Sequence, residues 1–296
     1  MTSHQPFQLY GIFGDPLAHT LSPAMQEAAF AFRGIKAYYL ALEFDRAQFR
    51  KLMDRLPKLV LSGFNVTVPY KEEIIPYLDG LTPSAQSVGA VNTVFRRGKK
   101  WIGANTDVDG FLMSLSHDAG FDPAGKKALV LGAGGAARAV VMGLSREKAR
   151  SVWIANRSLS RARKMADDMA ARFPKVDIKA SDLRDASLKQ AFCAADLVVN
   201  ATSVGLSPKD ARLFPASVIT KAGKKKQLFF DLIYKPSETA FLKEARKKGH
   251  RILNGAGMLL YQGAQAFQIW SRKKAPVPQM RRALAQALNE KESYHA

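Results

Sequence analysis

The stretch that most constrains this 296-residue chain is Gly132-Ala133-Gly134-Gly135-Ala136-Ala137, which follows the apolar run 128–131 and opens a helical pattern over 136–144. A G-x-G-x-x-A turn set directly between a strand and a helix lets the backbone turn sharply and approach a pyrophosphate, which the helix N-terminus then binds. The plainer alternative is a tight strand-to-helix turn with nothing bound. The pattern downstream favours a dinucleotide: strand 151–155, helix 160–173 and strands 197–200 and 228–232 continue the alternation of an open, doubly wound sheet. Gly132, Ala133, Gly134, Gly135 and Ala136 are the expected cofactor-binding positions of the turn.

About 20 residues beyond such a turn, an NAD site carries an Asp or Glu for the ribose hydroxyls, whereas an Arg there suits the 2′-phosphate of NADP. Strand 151–155 instead runs into Asn156-Arg157-Ser158, with Arg161 following and no acid. NADP(H) is the expected cofactor, with Asn156, Arg157, Ser158 and Arg161 among its contacts. The alternative is that both arginines belong to a generally basic surface, since 45 Lys+Arg against 25 Asp+Glu leave a formal charge of +20. Such an excess favours anionic partners without saying which. The basic clusters at 96–100, 221–226, 243–251 and 272–274 are dispersed and lack interleaved aromatic residues, so no nucleic-acid partner is expected.

The first third of the chain has the same rhythm: strand 9–13, helix 23–32, strand 37–42, helix 46–56, then strand 63–68 ending at Pro69. A long helical pattern over 258–270 and a last helix after Pro276 and Pro278, reaching about 288, close it. The fold class expected is α/β in two domains. One is an α/β substrate-binding domain with a mostly parallel sheet, residues 1–105 completed by 255–296; the other is an inserted Rossmann dinucleotide-binding domain, residues 106–254. The N-terminus lacks a basic and apolar leader pattern, and no run reaches the roughly 20 apolar residues of a membrane span. One cysteine, Cys193, excludes an intramolecular disulfide framework, and the five histidines have no metal-ligand spacing, so no metal is expected. A cytoplasmic protein acting on small molecules, as monomer or homodimer and without membrane contact, is the expectation.

Asn65-Val66-Thr67-Val68-Pro69-Tyr70-Lys71 places polar groups at a strand end and a lysine just past a proline, where the ligand crevice of an open sheet lies. Gly89-Ala90-Val91-Asn92-Thr93 and Gly103-Ala104-Asn105-Thr106-Asp107 flank a hairpin pattern over 94–101 with Arg97-Gly98 at its turn. A lysine and an aspartate brought together can serve proton transfer, the carboxylate holding the ammonium while the ammonium exchanges a proton with a hydroxyl or carbonyl. Read singly, Lys71 is a surface charge, and Asn92 and Asp107 are turn residues.

Taken together, these blocks resemble the shikimate dehydrogenases and their quinate-using relatives. The likeness runs from Gly14-Asp15-Pro16 and His19-Thr20-Leu21-Ser22-Pro23 through 65–71, 89–93, 105–107, the glycine turn and 156–158. It continues through Asn200-Ala201-Thr202-Ser203-Val204-Gly205, 231–234 and Pro236 to Gly255-Ala256-Gly257-Met258-Leu259 and Gln262. The resemblance implies reversible NADPH-dependent reduction of 3-dehydroshikimate to shikimate, with Lys71 and Asp107 as the catalytic pair. It also implies that Thr20 and Ser22 meet the substrate carboxylate, that Thr67, Lys71, Asn92, Asp107 and Gln262 meet its ring hydroxyls, and that Tyr234 lies near it. Thr202, Gly255 and Met258 would serve the cofactor, the last two facing the nicotinamide. Two positions depart from the family pattern: Thr20, where serine is commoner, and Asn254, where aspartate is commoner. Alternatives within the same frame are a quinate/shikimate dehydrogenase with relaxed substrate or NAD use, a non-catalytic ligand-binding member, and a folate-linked lysine-dependent dehydrogenase.

Overall fold

The computed structural model describes residues 7–184, 187–207, 210, 213–223 and 226–293. Two compact units result, one from residues up to 110 together with those from 259 onward, the other from 111–258. No described helix is long and apolar enough to cross a membrane, and the described residues hold no cluster of three or more His, Cys, Asp or Glu fit for a metal.

The first unit starts with β1 (Gln8–Gly14), α1 (Ser22–Phe32), β2 (Ala37–Glu43), α2 (Arg46–Met53) and β3 (Gly63–Val66). β4 (Gly80–Leu81), α3 (Pro83–Val88), β5 (Thr93–Arg97) and β6 (Lys100–Ala104) follow, then the first turn of α4 (Asp107–Ala119), whose residues from Phe111 onward belong to the second unit. The sheet order is β2-β1-β3-β5-β6-β4. β1 runs parallel to β2 and β3 and β4 parallel to β6, while β5 is antiparallel to both of its neighbours. Local chemistry sets the ends: a reciprocal Asp45–Gln48 capping box starts α2, and the β5–β6 hairpin turns at Gly98 with φ +62°. Phe13, Phe64, Trp101 and the stacked pair Phe49–Tyr70, 4.0 Å between ring centres, fill the core on one side of the sheet.

β3 is two residues shorter than its β-branched sequence suggests. Thr67 still donates its amide to Phe13 O (2.8 Å), but Pro69 has no N–H to extend the ladder, and Tyr70 N bonds back to Thr67 O (2.9 Å) in a turn. This early stop aims 67–71 off the end of the sheet.

The second unit contains β7 (Lys127–Leu131), α5 (Gly135–Arg146), β8 (Ser151–Asn156), α6 (Leu159–Arg172), β9 (Asp177–Asp182) and α7 (Ser187–Ala194). β10 (Leu197–Asn200), β11 (Leu228–Asp231), α8 (Ala240–Lys247) and β12 (Arg251–Leu253) complete it. All pairings are parallel, in the order β12-β11-β10-β7-β8-β9. The order reverses between β7 and β10, and open sheets of this kind bind ligands beyond the strand ends at that reversal. β10 and β11 are buried along their whole length, as central strands covered on both faces must be. The chain ends with α9 (Ala256–Ser271) and α10 (Val277–Ser293), α10 running past the expected stop near 288. Phe267 on α9 is fully buried and packs at a tilt against Phe30 of α1, 5.4 Å between ring centres, the packing expected for a returning helix.

Candidate active site

Lys71 and Asp107 lie far apart in sequence and meet in space. Lys71 follows the turn that ends β3, and its carbonyl accepts the Val91 amide at 2.7 Å, which holds the backbone against the 89–93 segment. Asp107 is the first residue of α4, and its own amide is capped by Asn105 Oδ1 at 3.0 Å. Lys71 Nζ donates to Asp107 Oδ2 at 2.7 Å, with the lysine side chain 14 % and the aspartate 6 % exposed. The pair is therefore shielded yet reachable, the state in which an ion pair is strongest and a proton can still be exchanged with a bound group.

Asn92 completes the constellation. Its Nδ2 donates to Asp107 Oδ1 (2.8 Å), Thr106 Oγ1 (2.9 Å) and Gln262 Oε1 (3.3 Å), while its Oδ1 accepts from Thr106 N (2.8 Å). Gln262 reaches this cluster because Gly110 has no side chain: a Cβ there would lie 2.7 Å from Gln262 Cβ and 2.8 Å from its nitrogen. Behind Asn92, Asn65 Nδ2 donates to Asn92 O (2.9 Å) and Thr93 Oγ1 (3.0 Å), and Tyr39 donates its hydroxyl to Asn65 Oδ1 at 2.6 Å. Burial raises the pKa of the Tyr39 phenol well above its usual value and keeps it neutral, the Ser22 side chain acting in the opposite direction. A continuous polar path thus joins Tyr39 of β2, through Asn65 and Asn92, to Asp107 at the start of α4.

Thr20 accepts from the Ser22 amide at 3.4 Å through its hydroxyl, so both stand together at the N-terminus of α1, whose N-cap residue Leu21 makes no side-chain cap of its own. Thr67 packs against Gly14, where a Cβ would collide with its methyl. Tyr39 is the participant that the sequence does not signal, since 37–42 reads only as an apolar strand. Asn65, which the sequence marks only as a polar group at a strand end, is the other supporting residue.

In the second unit, Gly132 leaves β7 with φ +111°, and a Cβ on it would lie 3.1 Å from Ala201 O and from Thr202 Cγ2. Gly134 precedes α5 as its N-cap without any side-chain capping bond, and the space where its Cβ would stand is open. Unsatisfied amides at an open helix N-terminus beside a close-approach glycine fit a pyrophosphate. At the end of β8, Asn156 Nδ2 donates to Ser158 O (3.1 Å), and Arg157 and Arg161 are exposed. Thr202 follows β10 on the other side of the strand reversal and bonds Asn200 Oδ1 through its hydroxyl at 2.7 Å. Gly255 sits where a Cβ would strike Leu232 O, and Met258 is buried. Burial pushes the Tyr234 phenol up to about 12, so it is neutral at physiological pH.

Three family models match the chain: the shikimate dehydrogenase substrate binding domain over residues 12–94, shikimate / quinate 5-dehydrogenase over 115–236, and the shikimate 5′-dehydrogenase C-terminal domain over 255–285. The shikimate dehydrogenase (NADP(+)) of Moorella thermoacetica is 44 % identical over 281 residues, covering 95 % of this chain and 93 % of its own. The crystal structure of the Thermus thermophilus shikimate 5-dehydrogenase in complex with NADP(H) and shikimate is 35 % identical with a TM-score of 0.81, covering 95 % of this chain and 100 % of that one. Quinate dehydrogenase from Corynebacterium glutamicum, in complex with NAD, is 30 % identical with a TM-score of 0.83, covering 95 % and 99 %. Sequence likeness over nearly the whole length, matching folds and three successive family matches agree: this chain belongs to the shikimate dehydrogenase family.

Proposed function

We propose that the protein catalyses the reversible NADPH-dependent reduction of 3-dehydroshikimate to shikimate, a step of aromatic amino acid biosynthesis. The observation that carries this is the shielded Lys71–Asp107 pair with Asn92 bonded to the same carboxylate. The first unit is the substrate domain and the second the NADP domain, in a cytoplasmic enzyme.

NADPH, when bound there, would supply the hydride. Lys71 donates a proton to the substrate oxygen as it takes on negative charge during reduction, and accepts it back during oxidation. Asp107 holds the ammonium toward that oxygen and, with Asn92, Thr67 and Gln262, orients the ring hydroxyls. Thr20 and Ser22 bind the carboxylate through their hydroxyls at the start of α1, where the helix dipole favours an anion. In the second unit, the Gly132–Ala136 turn takes the pyrophosphate, Asn156, Arg157, Ser158 and Arg161 take the 2′-phosphate end, Thr202 serves the cofactor, and Gly255 and Met258 take the nicotinamide end. The nature of the end of β8 favours NADP over NAD, because the acid that NAD requires is absent there.

Mixing the enzyme with NADPH and 3-dehydroshikimate tests the reaction. Loss of NADPH absorbance should match shikimate formed mole for mole, and NADPH that stays unconsumed contradicts the assignment. Substrate anchoring has its own test. A bond to a charged group contributes about 1.5–3 kcal/mol, which is about 10- to 150-fold at 1.4 kcal/mol per tenfold. Ser22→Ala should raise the KM for shikimate about tenfold or more, with the KM for NADP unchanged. Equal rises in both would place the carboxylate elsewhere.

A further inference from the structure

Asp231 closes β11 with 0 % of its surface exposed, and three donors serve its carboxylate: Thr239 Oγ1 at 2.6 Å on Oδ2, and Asn200 Nδ2 at 3.0 Å and the Ile233 amide at 3.1 Å on Oδ1. None of these three donors is a cation, and burial pushes the carboxyl up to about 6. Burying a carboxylate in this way is costly, so what the group does there needs a reason. Asn200, in register with Asp231 at the end of neighbouring β10, supplies one. The Asp231 oxygen facing it also takes the Ile233 amide and must be an acceptor, so the Asn200 amide can turn only its nitrogen that way. Its nitrogen therefore points to Asp231 and to Val204 O (3.1 Å). Its oxygen takes the Thr202 amide (3.1 Å) and hydroxyl (2.7 Å).

That oxygen fixes the 200–204 turn. The Thr202 hydroxyl is committed within it, donating to Asn200 and accepting the Val204 amide at 3.1 Å. The outer face of the same turn, Ala201 O and Thr202 Cγ2, is what Gly132 is seated against. We infer that Asp231 is a positioning residue for the dinucleotide site: by fixing the orientation of the Asn200 amide, it holds the 200–204 turn in place against Gly132. This inference rests on the NADP reading of the second unit.

Calorimetric titration of the full chain with NADP⁺, without substrate, tests it, with thermal unfolding as the check on folding. Asp231→Ala removes the acceptor and should raise the Kd for NADP⁺ about tenfold, or about 1.4 kcal/mol, leaving the KM for shikimate within about twofold. Asp231→Asn keeps an acceptor for Ile233 and Asn200 while its nitrogen faces Thr239, and should restore the Kd to near the wild-type value. Asn200→Ala leaves Asp231 bonded to Thr239 and Ile233, so it provides the same test if Asp231→Ala does not fold, and should weaken NADP⁺ equally. Wild-type affinity in a folded Asp231→Ala or Asn200→Ala protein overturns the inference alone, as does an Asp231→Asn protein no better than Asp231→Ala. A wild type that binds no NADP⁺ overturns the cofactor reading and this inference with it.

Discussion

Lys71→Ala should lower kcat for shikimate oxidation by about 10²–10⁴-fold, the usual worth of a positioned acid or base, while the KM for shikimate rises much less. The separation follows from what remains. Without the lysine, Asp107 still accepts from Asn92 Nδ2 at 2.8 Å and still stands at the start of α4, where the helix dipole supports a carboxylate. The local fold and most ring-hydroxyl contacts therefore persist, and the missing function is proton exchange. Lys71→Arg sharpens the test: a guanidinium can pair with Asp107 but stays protonated, so it cannot act as the base of the oxidation. Its kcat should remain low. Initial rates at saturating shikimate and NADP⁺ measure both variants, and a Lys71→Ala kcat within about threefold of wild type would contradict the assignment.

Arg157→Ala should erase most of the preference for NADP over NAD. The side chain is exposed at the end of β8, in the position where an NAD site has its acid, and the Asn156–Ser158 bond of 3.1 Å shapes the backbone around it. A 2′-phosphate carries close to two negative charges, and a planar guanidinium can pair with it while stacking on the adenine. A charge-assisted bond of about 1.5–3 kcal/mol corresponds to about 10- to 150-fold in affinity. The wild type should accordingly favour NADP by about tenfold or more in kcat/KM. In Arg157→Ala the KM for NADP should rise by that factor while NAD kinetics stay nearly unchanged. Added salt should weaken NADP binding in the wild type more than in the variant, because part of the contact is exposed electrostatics. A variant that keeps its preference would reduce Arg157 and Arg161 to members of the basic surface.

What the sequence reveals and what it hides have the same physical origin. The β7–Gly132–α5 turn is short-range: its strand, its glycines and its helix are adjacent in the chain, and their order alone specifies the geometry. Lys71 and Asp107 are 36 residues apart, and only the sheet order, with β5 running antiparallel between β3 and β6 so that those two strands end on the same side, brings their segments together. The family resemblance implies that pairing; spacing alone leaves each of the two with a plain surface or turn explanation. Asp107 in particular is the first residue of a 13-residue helix rather than part of a turn. β9 has no apolar signal because Asp177–Asp182 is largely polar, and it forms by backbone pairing along β8 instead of by burying an apolar face. α8 likewise escapes the sequence pattern, although Thr239 caps its first turn. Tyr39, Asn65 and Asp231 act through partners on other strands, a relation that no local pattern encodes.

The chain should oxidise shikimate with NADP⁺ in preference to quinate and to NAD⁺. Initial rates with shikimate or quinate, each with NADP⁺ or NAD⁺, followed by nicotinamide absorbance, test it most directly. The highest kcat/KM should belong to shikimate with NADP⁺. A higher value for quinate or for NAD⁺, or no turnover with any of the four pairs, would contradict it.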